Sequence, residues 1–502
     1  MMMRQESLEK TVLSPFALLT AEDTAKMDQA AGDHLDSLME NAGRACADVF
    51  CEHVSSENSV LIAVGAGNNG GDGYVMAHYL KERGYQVAVA AWQPPKTELA
   101  QKASKRWAFE GKMVDFSVAE AGKYAWVIDG IFGAGFSSER LLPLEISTFF
   151  KAAKNLLAID VPSGVASNDG KLCGDVADYD LTVTFTRKRP AHLLSPASRK
   201  CGFVEVREIG IPLEALSAVD VKIFYNQPGL WHLPLQAVGN GYNKYSRGVV
   251  SIVSGALMPG AACLSAEGAR RSGAGIVRVA SPKEALLPLF LRTPGLIVDL
   301  EPLEVLLQNP KSNVWVCGPG LTKEEASEAF QYFSSADVHL IADAGLLGMA
   351  SGNPSCLKGV SLLTPHEGEF SRLFGTEGTF NLRENEGSRM VAALAGARLL
   401  NAVLLLKGEE TIIASPDGRV AINTHATPAL ATAGSGDVLS GVAGTCLASG
   451  LEVWEAACAA AWLHGEAGRR AAKKEGGWPI AEDVARELGH ARQAAEEAHR
   501  SR

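Results

Sequence analysis

Val60-Leu61-Ile62-Ala63-Val64-Gly65-Ala66-Gly67-Asn68-Asn69-Gly70-Gly71-Asp72-Gly73 decides the fold of the first half of the chain. The apolar run reads as a buried strand and Tyr74 to Arg83 as the helix that follows, so the glycines occupy a strand-to-helix turn. Glycine lets the backbone approach an anion closely, and the free N–H groups at a helix start point at it, so a phosphate would sit there. Gly65-x-Gly67-x-x-Gly70 spells the dinucleotide fingerprint, although the spacing alone also serves plain packing turns. The acidic residue expected about 20 positions on, which would hold a ribose hydroxyl, is missing. The second strand, Gln86 to Ala90, runs instead into Ala91-Trp92-Gln93, which disfavours ordinary redox use of a dinucleotide. Asn68, Asn69 and Asp72 add amide and carboxylate groups to a loop that needs only glycine to turn. They point to a ligand more polar than one phosphate.

At 502 residues the chain exceeds what one core supports and calls for two or more domains. With 47% hydrophobic and 21% charged residues and 51 glycines, it reads as a turn-rich α/β protein. A net charge of -10 excludes a non-specific nucleic-acid binder, which needs a basic face. Nine cysteines are scattered without a C-x-x-C pair or zinc spacing, as expected of reduced core thiols in a cytosolic protein. Met1 to Lys10 carries Glu6 and Glu9 and no signal-peptide apolar core, and no run approaches the roughly 18 apolar residues of a membrane span. The expectation is a cytoplasmic protein with no membrane partner.

In chain order, Thr20-Ala-Glu22-Asp23 reads as an N-cap with acids in the first helical turn. A second helix passes through Leu38-Met39-Glu40-Asn41-Ala42-Gly43, where Glu40-Asn41 is expected to reach back toward the glycine loop. Trp126-Val-Ile-Asp129 and Leu156-Leu-Ala-Ile-Asp160 are apolar strands that each end in an aspartate and a glycine-bearing loop. This places Asp129 and Asp160 at the carboxyl edge of a parallel sheet, beside the glycine loop, where open α/β sheets bind ligands. An aspartate of this kind also caps ordinary turns, but three polar loops on one edge favour a site.

Leu38-Met-Glu-Asn-Ala-Gly43, Gly67-Asn-Asn-Gly-Gly-Asp-Gly73, Asp129-x-x-Phe132-Gly-x-Gly135 and Asp160-Val-Pro-Ser-Gly164 resemble the NAD(P)H-hydrate epimerase domain, over about Leu19 to Pro212. The resemblance implies a Rossmann-like, three-layer αβα domain that interconverts R and S forms of NADH and NADPH hydrated at C6 of the nicotinamide ring. It implies that Asn68, Asn69, Gly70, Gly71 and Asp72 hold the substrate together with Gly133, Ala134, Gly135, Phe136, Ser137, Ser138 and Glu139. It further implies that Asp160 contacts the substrate and that Asn69, Asp129 and Ser163 ligate a potassium ion. Epimerising a carbon that bears a hydroxyl and a ring nitrogen needs proton transfers, for which Asp160 is the candidate acid and base. Amide, carboxylate and hydroxyl oxygens together suit a hard cation.

After Ile209-Gly-Ile-Pro212 the periodicity weakens, and Pro228, Gly229, Pro234, Gly239 and Gly241 break up the chain before a strand at Gly248. The expected boundary lies near residue 228, giving domains 1–228 and 229–502. Beyond it, Gly248 to Ser254, Gly275 to Ala280, Val314 to Cys317, His339 to Ala342, Val360 to Leu363 and Val403 to Leu406 read as strands, and Ala261 to Ser272 as a helix. Alternation of strands and helices again implies a mainly parallel sheet.

The decisive element there is Ala433-Gly434-Ser435-Gly436-Asp437, followed by the small-residue helix Val438 to Gly444. Glycines at a helix start aim N–H groups at a transferring phosphoryl group, and Asp437 on the first turn is placed to take a proton from an attacking hydroxyl. Residues 244 to about 490 resemble the ribokinase-like NAD(P)H-hydrate dehydratase. The motifs are Lys244-x-x-x-Gly248, Ser254-Gly255, Gly260-Ala-Ala262, Gly318-Pro-Gly320, Asp343-Ala-Gly345, Leu363-Thr-Pro-His-x-Gly-Glu369, Lys407-Gly408, Gly434-Ser-Gly-Asp-Val-Leu-Ser-Gly441 and Leu463-His-Gly465. By that resemblance Ala261, Gly320, His366 and Asp437 bind the S-hydrate, and Lys407, Gly408, Glu409, Glu410, Thr411 and Gly436 bind ADP or ATP, with magnesium carried mostly by the nucleotide phosphates. Asn243, where a histidine often precedes the lysine, and His425-Ala-Thr-Pro428, in place of a common Gly-Asn turn, depart from the pattern. The competing readings are a ribokinase-type small-molecule kinase fused to a Rossmann-like ligand-binding domain, and a ligand-sensing scaffold. Val453 to Leu463 reads as an apolar subunit interface, hence a homo-oligomer.

Overall fold

The computed structural model describes residues 14–500 apart from 235–242, 294 and 384–387. The readings of Met1 to Lys10, Gly239 and Gly241 lie outside them. Two compact units divide the chain between Ile223 and Phe224. The division falls just before residue 228 because Asn226 is tied to the later part: its N–H donates to Ile422 O at 2.9 Å, and its buried amide donates to Asn423 Oδ1 and to Cys458 O.

The first unit is a seven-stranded parallel sheet in the order β3-β2-β1-β4-β5-β6-β7. Its strands are β1 (Ser59–Val64), β2 (Gln86–Ala91), β3 (Lys112–Val114), β4 (Trp126–Gly130), β5 (Leu156–Ile159), β6 (Leu181–Phe185) and β7 (Phe203–Arg207). Strand order reverses between β1 and β4, the switch point of a doubly wound sheet. Apolar residues cover both faces of β1, as a central parallel strand requires. Ile62 and Val64 pack with Phe50 and Met76 on one side, and Leu61 and Ala63 with Phe149 and Phe150 on the other.

Local signals held at several points. Thr20 caps helix Ala21–Ala31 in a reciprocal box with Asp23, as the sequence predicts. The glycine stretch differs: the helix after β1 already starts at Asn68, so Gly70 to Gly73 lie in its first turns rather than in a loop. Its N-cap, Gly67, has no side chain to cap the first N–H groups, the arrangement in which a helix start can receive an anion. A side chain at Gly70 would put its Cβ 2.1 Å from Gly65 O, and one at Gly65 would stand 2.1 Å from Ile131 O. These glycines are therefore required by backbone contact between β1, its helix and the β4 loop. Glu40 and Asn41 do not reach this turn. Glu40 pairs with Tyr79 and Arg106, and Asn41 donates to Ile209 O, so both side chains are spent on other partners. Met39 and Gly43 of the same helix pack there instead, against Gly71 and Val75.

The second unit carries a ten-stranded sheet in the order β11-β10-β9-β12-β13-β14-β15-β16-β17-β8. The strands are β8 (Ile223–Tyr225), β9 (Val249–Val253), β10 (Ile276–Ala280), β11 (Ile297–Asp299), β12 (Val314–Cys317), β13 (His339–Ala342), β14 (Leu362–Leu363), β15 (Val403–Leu406), β16 (Thr411–Ala414) and β17 (Val420–Asn423). β9 to β15 are mutually parallel, and β15-β16-β17 turn back antiparallel. The strand expected over Val360 to Leu363 shortens to Leu362–Leu363, since Val360 N closes a turn on Leu357 O.

Helices Pro259–Ser272 and Ser435–Ala448 cross at small residues. Ser265 and Ser440 hydroxyls meet at 3.1 Å, and a Cβ at Gly441 would lie 1.9 Å from Ser265 O. Val453 to Leu463, expected at a subunit interface, is buried within the unit: Trp454, Ala456 to Ala461 and Leu463 face the chain's own core, so this run presents no apolar face for a partner. Among the described residues no helix is long and apolar enough to cross a membrane, and the nine cysteines are free. Gly441→Ala is expected to destabilise the second unit by about 1–3 kcal/mol, the usual range for overpacking, read from the shift of its urea unfolding transition.

Candidate active sites

At the carboxyl edge of the first sheet, Asp160 follows β5 with a left-handed φ of 68°. That conformation is uncommon outside glycine and persists where surroundings over-determine it. Here the backbone N–H donates to Val183 O at 2.7 Å, and His192 Nε2 lies 2.9 Å from Asp160 O. The carboxylate accepts from Ala134 N at 2.8 Å, Thr184 Oγ1 at 3.0 Å and Arg189 Nε at 3.1 Å, and it is 6% exposed. Burial pushes its pKa up, but the Arg189 charge and these hydrogen bonds outweigh burial and hold the carboxyl below its ordinary range. Asp72, in the helix after β1, goes the other way: burial, then repulsion from Asp160 and Asp28, lifts it well above the carboxylate range.

Asn69 and Asp160 converge on Gly133. A Cβ there would stand 3.1 Å from the Asn69 amide and 3.2 Å from Asp160 Oδ2, so glycine keeps the space between them open. Asp129, at the end of β4, accepts four hydrogen bonds, from Ile131 N, Ser163 N, Ser163 Oγ and Tyr179 Oη. Burial nonetheless keeps its pKa raised against them. Asn69, Asp129 and Ser163 thus offer the oxygen types a hard cation takes. The Asn69 side-chain nitrogen is buried without a hydrogen-bond partner among the described residues. Within the loop from Gly133, Ser137, Ser138 and Glu139 are exposed, and Phe136 packs on Phe132, whose ring meets Trp92 at 5.4 Å. Trp92 stands at the end of β2, where a ribose-binding acid would otherwise be.

The second site forms where β12, β13 and β15 end and helix Ser435–Ala448 begins. Gly434 caps that helix in the left-handed conformation, leaving its first N–H groups without a side-chain cap. A Cβ on Gly436 would be 3.2 Å from Lys407 Nζ and 3.9 Å from Asp343 Oδ2. Lys407 Nζ donates to Asp343 Oδ1 at 3.1 Å and lies 3.8 Å from Glu369 Oε2. Burial opposes the charge on Lys407, but Asp343, Glu369 and Asp437 more than offset it and raise its pKa. Asp437 is pushed up to about 7, first by burial, then by Asp343, with Lys407 pulling down and Glu369 adding. A carboxyl so poised can both hold and release a proton near neutrality.

Gly320 and Ala261 adjoin: a Cβ at Gly320 would meet Ala261 Cβ at 3.1 Å. His366 caps helix Glu367–Phe374 through Nδ1, and Glu369 returns the bond to His366 N at 2.9 Å. Gly408 and Glu409 turn β15 into β16, with Glu410 buried and Thr411 opening β16. His425 stacks on Trp462 at 4.7 Å and pairs with Glu466, beside His464, whose Nε2 meets Ser435 Oγ at 3.0 Å. Asn243 closes its own turn by accepting from Tyr245 N and Ser246 N. Arg189, His192, Thr184 and Tyr179 carried no sequence signal as site residues; alternating threonines in β6 were the trace available. Asp343 and Glu369 stood in quoted motifs without a role.

Residues 250–488 match the family described as NAD(P)H-hydrate dehydratase, and residues 35–191 match that described as YjeF-related protein N-terminus. The bifunctional NAD(P)H-hydrate repair enzyme Nnr of Moorella thermoacetica is 32% identical over 498 residues, covering 91% of this chain and 93% of the relative. The chain belongs to this family of bifunctional NAD(P)H-hydrate repair enzymes. Its Escherichia coli namesake is 29% identical over 489 residues, 93% of this chain and 92% of the relative. A solved ADP/ATP-dependent NAD(P)H-hydrate dehydratase from Bacillus subtilis, co-crystallised with ATP and Mg2+, is 26% identical with a TM-score of 0.43, covering 54% of this chain and 95% of that one.

Family membership leaves the electrostatics of these particular sites to be tested. Burial holds His464 down at about 4 against an ordinary 6.5. Between those values the unfolded chain binds a proton that the folded one refuses, so stability falls as pH drops from 6.5 toward 4. His464→Gln is expected to flatten this part of the pH dependence, measured by urea unfolding across that range.

Proposed function

We propose that the first unit interconverts the R and S forms of hydrated NADH and NADPH, and that the second dehydrates the S form at the expense of ADP or ATP and returns the reduced coenzyme. In the first unit the Arg189 charge holds Asp160 below the ordinary carboxylate range while burial raises Asp72 well above it, so the two carboxyls are biased in opposite directions as proton acceptor and donor. The free N–H groups of Asn68 and its neighbours would receive the pyrophosphate. Gly133 leaves room for the ring between Asn69 and Asp160.

Asn69, Asp129 and Ser163 would hold a potassium ion, which supplies positive charge beside the substrate phosphates. Their oxygen donors, with Ser163 Oγ 2.7 Å from Asp129 Oδ1, support this reading. Potassium is then expected to raise the melting temperature of the wild type more than an equal concentration of tetramethylammonium does, and Ser163→Ala to lose that difference in a thermal shift assay.

The second unit's reading is carried by Asp437, poised near neutrality at a glycine-capped helix start with Lys407 beside it. Asp437 takes the proton of the C6 hydroxyl, whose oxygen attacks the terminal phosphoryl group and releases the shortened nucleotide. The ring nitrogen lone pair then expels phosphate, a proton leaves C5, and the reduced ring is restored. Phosphate departs far more readily than hydroxide. The Gly436 N–H and Lys407 stabilise charge on the transferring group, and magnesium enters with the nucleotide phosphates.

Separate losses test the division of labour. Asp437→Asn is expected to cut nucleotide-dependent return of the reduced-ring absorbance by at least about 100-fold while leaving R/S interconversion intact. Asp160→Asn is expected to slow interconversion, followed by chromatography, by a similar factor without affecting dehydration of pure S-hydrate. Loss of both activities in either variant, with the fold retained, would refute the assignment.

A further inference from the structure

Lys407 is committed to more than a nucleotide phosphate. Its Nζ is seated at Gly436, held by Asp343 at 3.1 Å and approached by Glu369 at 3.8 Å. Asp343 is 2% exposed and offers no bond to the N-terminus of its own helix, Ala344–Met349, although it stands at that helix's N-cap. A buried carboxylate that forgoes its local cap and takes a lysine from β15 instead is a device for placing that lysine. Ala344, next in the chain, has a left-handed φ of 42°, and a Cβ at Gly318 would strike Asp343 O at 1.8 Å. The Asp343 backbone is thereby fixed against the β12 loop. Glu369 is likewise anchored, through its bond from His366 N.

We propose that Asp343 and Lys407 form a fixed charge pair that positions the dehydratase base: the buried carboxylate seats the ammonium at Gly436, on the helix turn that carries Asp437, so that both charges bear on Asp437. The proposal rests on the reading of Asp437 as that base. Asp343 and Lys407 then act on Asp437 in opposite senses, the carboxylate opposing its ionisation and the ammonium favouring it. The other titratable groups around it are Glu369, which adds to the opposition, and His366, an exposed helix cap. From helix Val453–Lys474, His464 reaches the same turn through Ser435 but is held at about 4, so it stays neutral while Asp437 titrates. Helix Pro259–Ser272 meets the 435–448 helix with Ser265 and glycines.

The test is the pH profile of kcat/KM for dehydration of S-hydrate by the full chain with magnesium and saturating nucleotide. In Asp343→Asn, whose amide oxygen can still accept from Lys407, the acidic limb is expected to move down by roughly one pH unit, and in Lys407→Met up by roughly one unit, typical of a charge at this range. A structural role would lower the rate without splitting the limbs in opposite directions. Glu369→Gln serves if Asp343→Asn fails to fold, with a smaller downward shift expected. R/S interconversion and circular dichroism report whether each variant is intact. Folded variants whose acidic limbs stay together would overturn the proposal. A wild type that leaves S-hydrate unchanged with either nucleotide would instead sink the reading on which it rests.

Discussion

Each unit depends on a carboxylate buried at the end of a parallel strand and neutralised by one basic side chain. An isolated buried charge costs several kcal/mol, so removing Arg189 from Asp160, or Lys407 from Asp343, would loosen the strand end. The pairs are arranged differently. Arg189 lies directly on the proposed epimerase base and lowers its pKa. Lys407 lies on a neighbour of the proposed dehydratase base and leaves Asp437 close to neutrality.

Glycine makes the settings accessible. Gly65 and Gly70 admit backbone to backbone contact around the β1 turn, and Gly318 and Gly320 do so after β12. Gly133 and Gly436 do something else: each faces polar side chains at just over 3 Å, so each keeps a small volume open beside a carboxylate. At both proposed sites a single glycine therefore keeps a side chain out of the space beside a carboxylate. Close-packed small residues between the Pro259–Ser272 and Ser435–Ala448 helices hold the second turn against the sheet.

Much of this was legible in the chain itself. Central strands such as β1, β12, β13 and β15 announce themselves because burial on both faces demands unbroken apolar runs. Edge strands such as β3 and β11, short and partly exposed, give no such signal. Helix starts were less well placed: Asn68 to Gly73 read as loop because glycine is a poor helix former, yet tertiary contact with β1 and the β4 loop overrides that propensity. The apolar Val453 to Leu463 run looked like an interface because sequence shows that a face is apolar, not what covers it.

The two α/β units, the strand-end aspartates and the glycine turns follow from local pattern and from motifs that lie within a few residues of each other, so they can be read off the chain. Which charge neutralises which emerges only once the chain is folded. Arg189 follows Asp160 by more than a strand, and Lys407 is separated from Asp343 by 64 positions. Local propensity carries no information about pairings at that distance, and electrostatic tuning of a carboxyl depends on burial and on neighbours a few ångströms away rather than on the residues beside it in the chain.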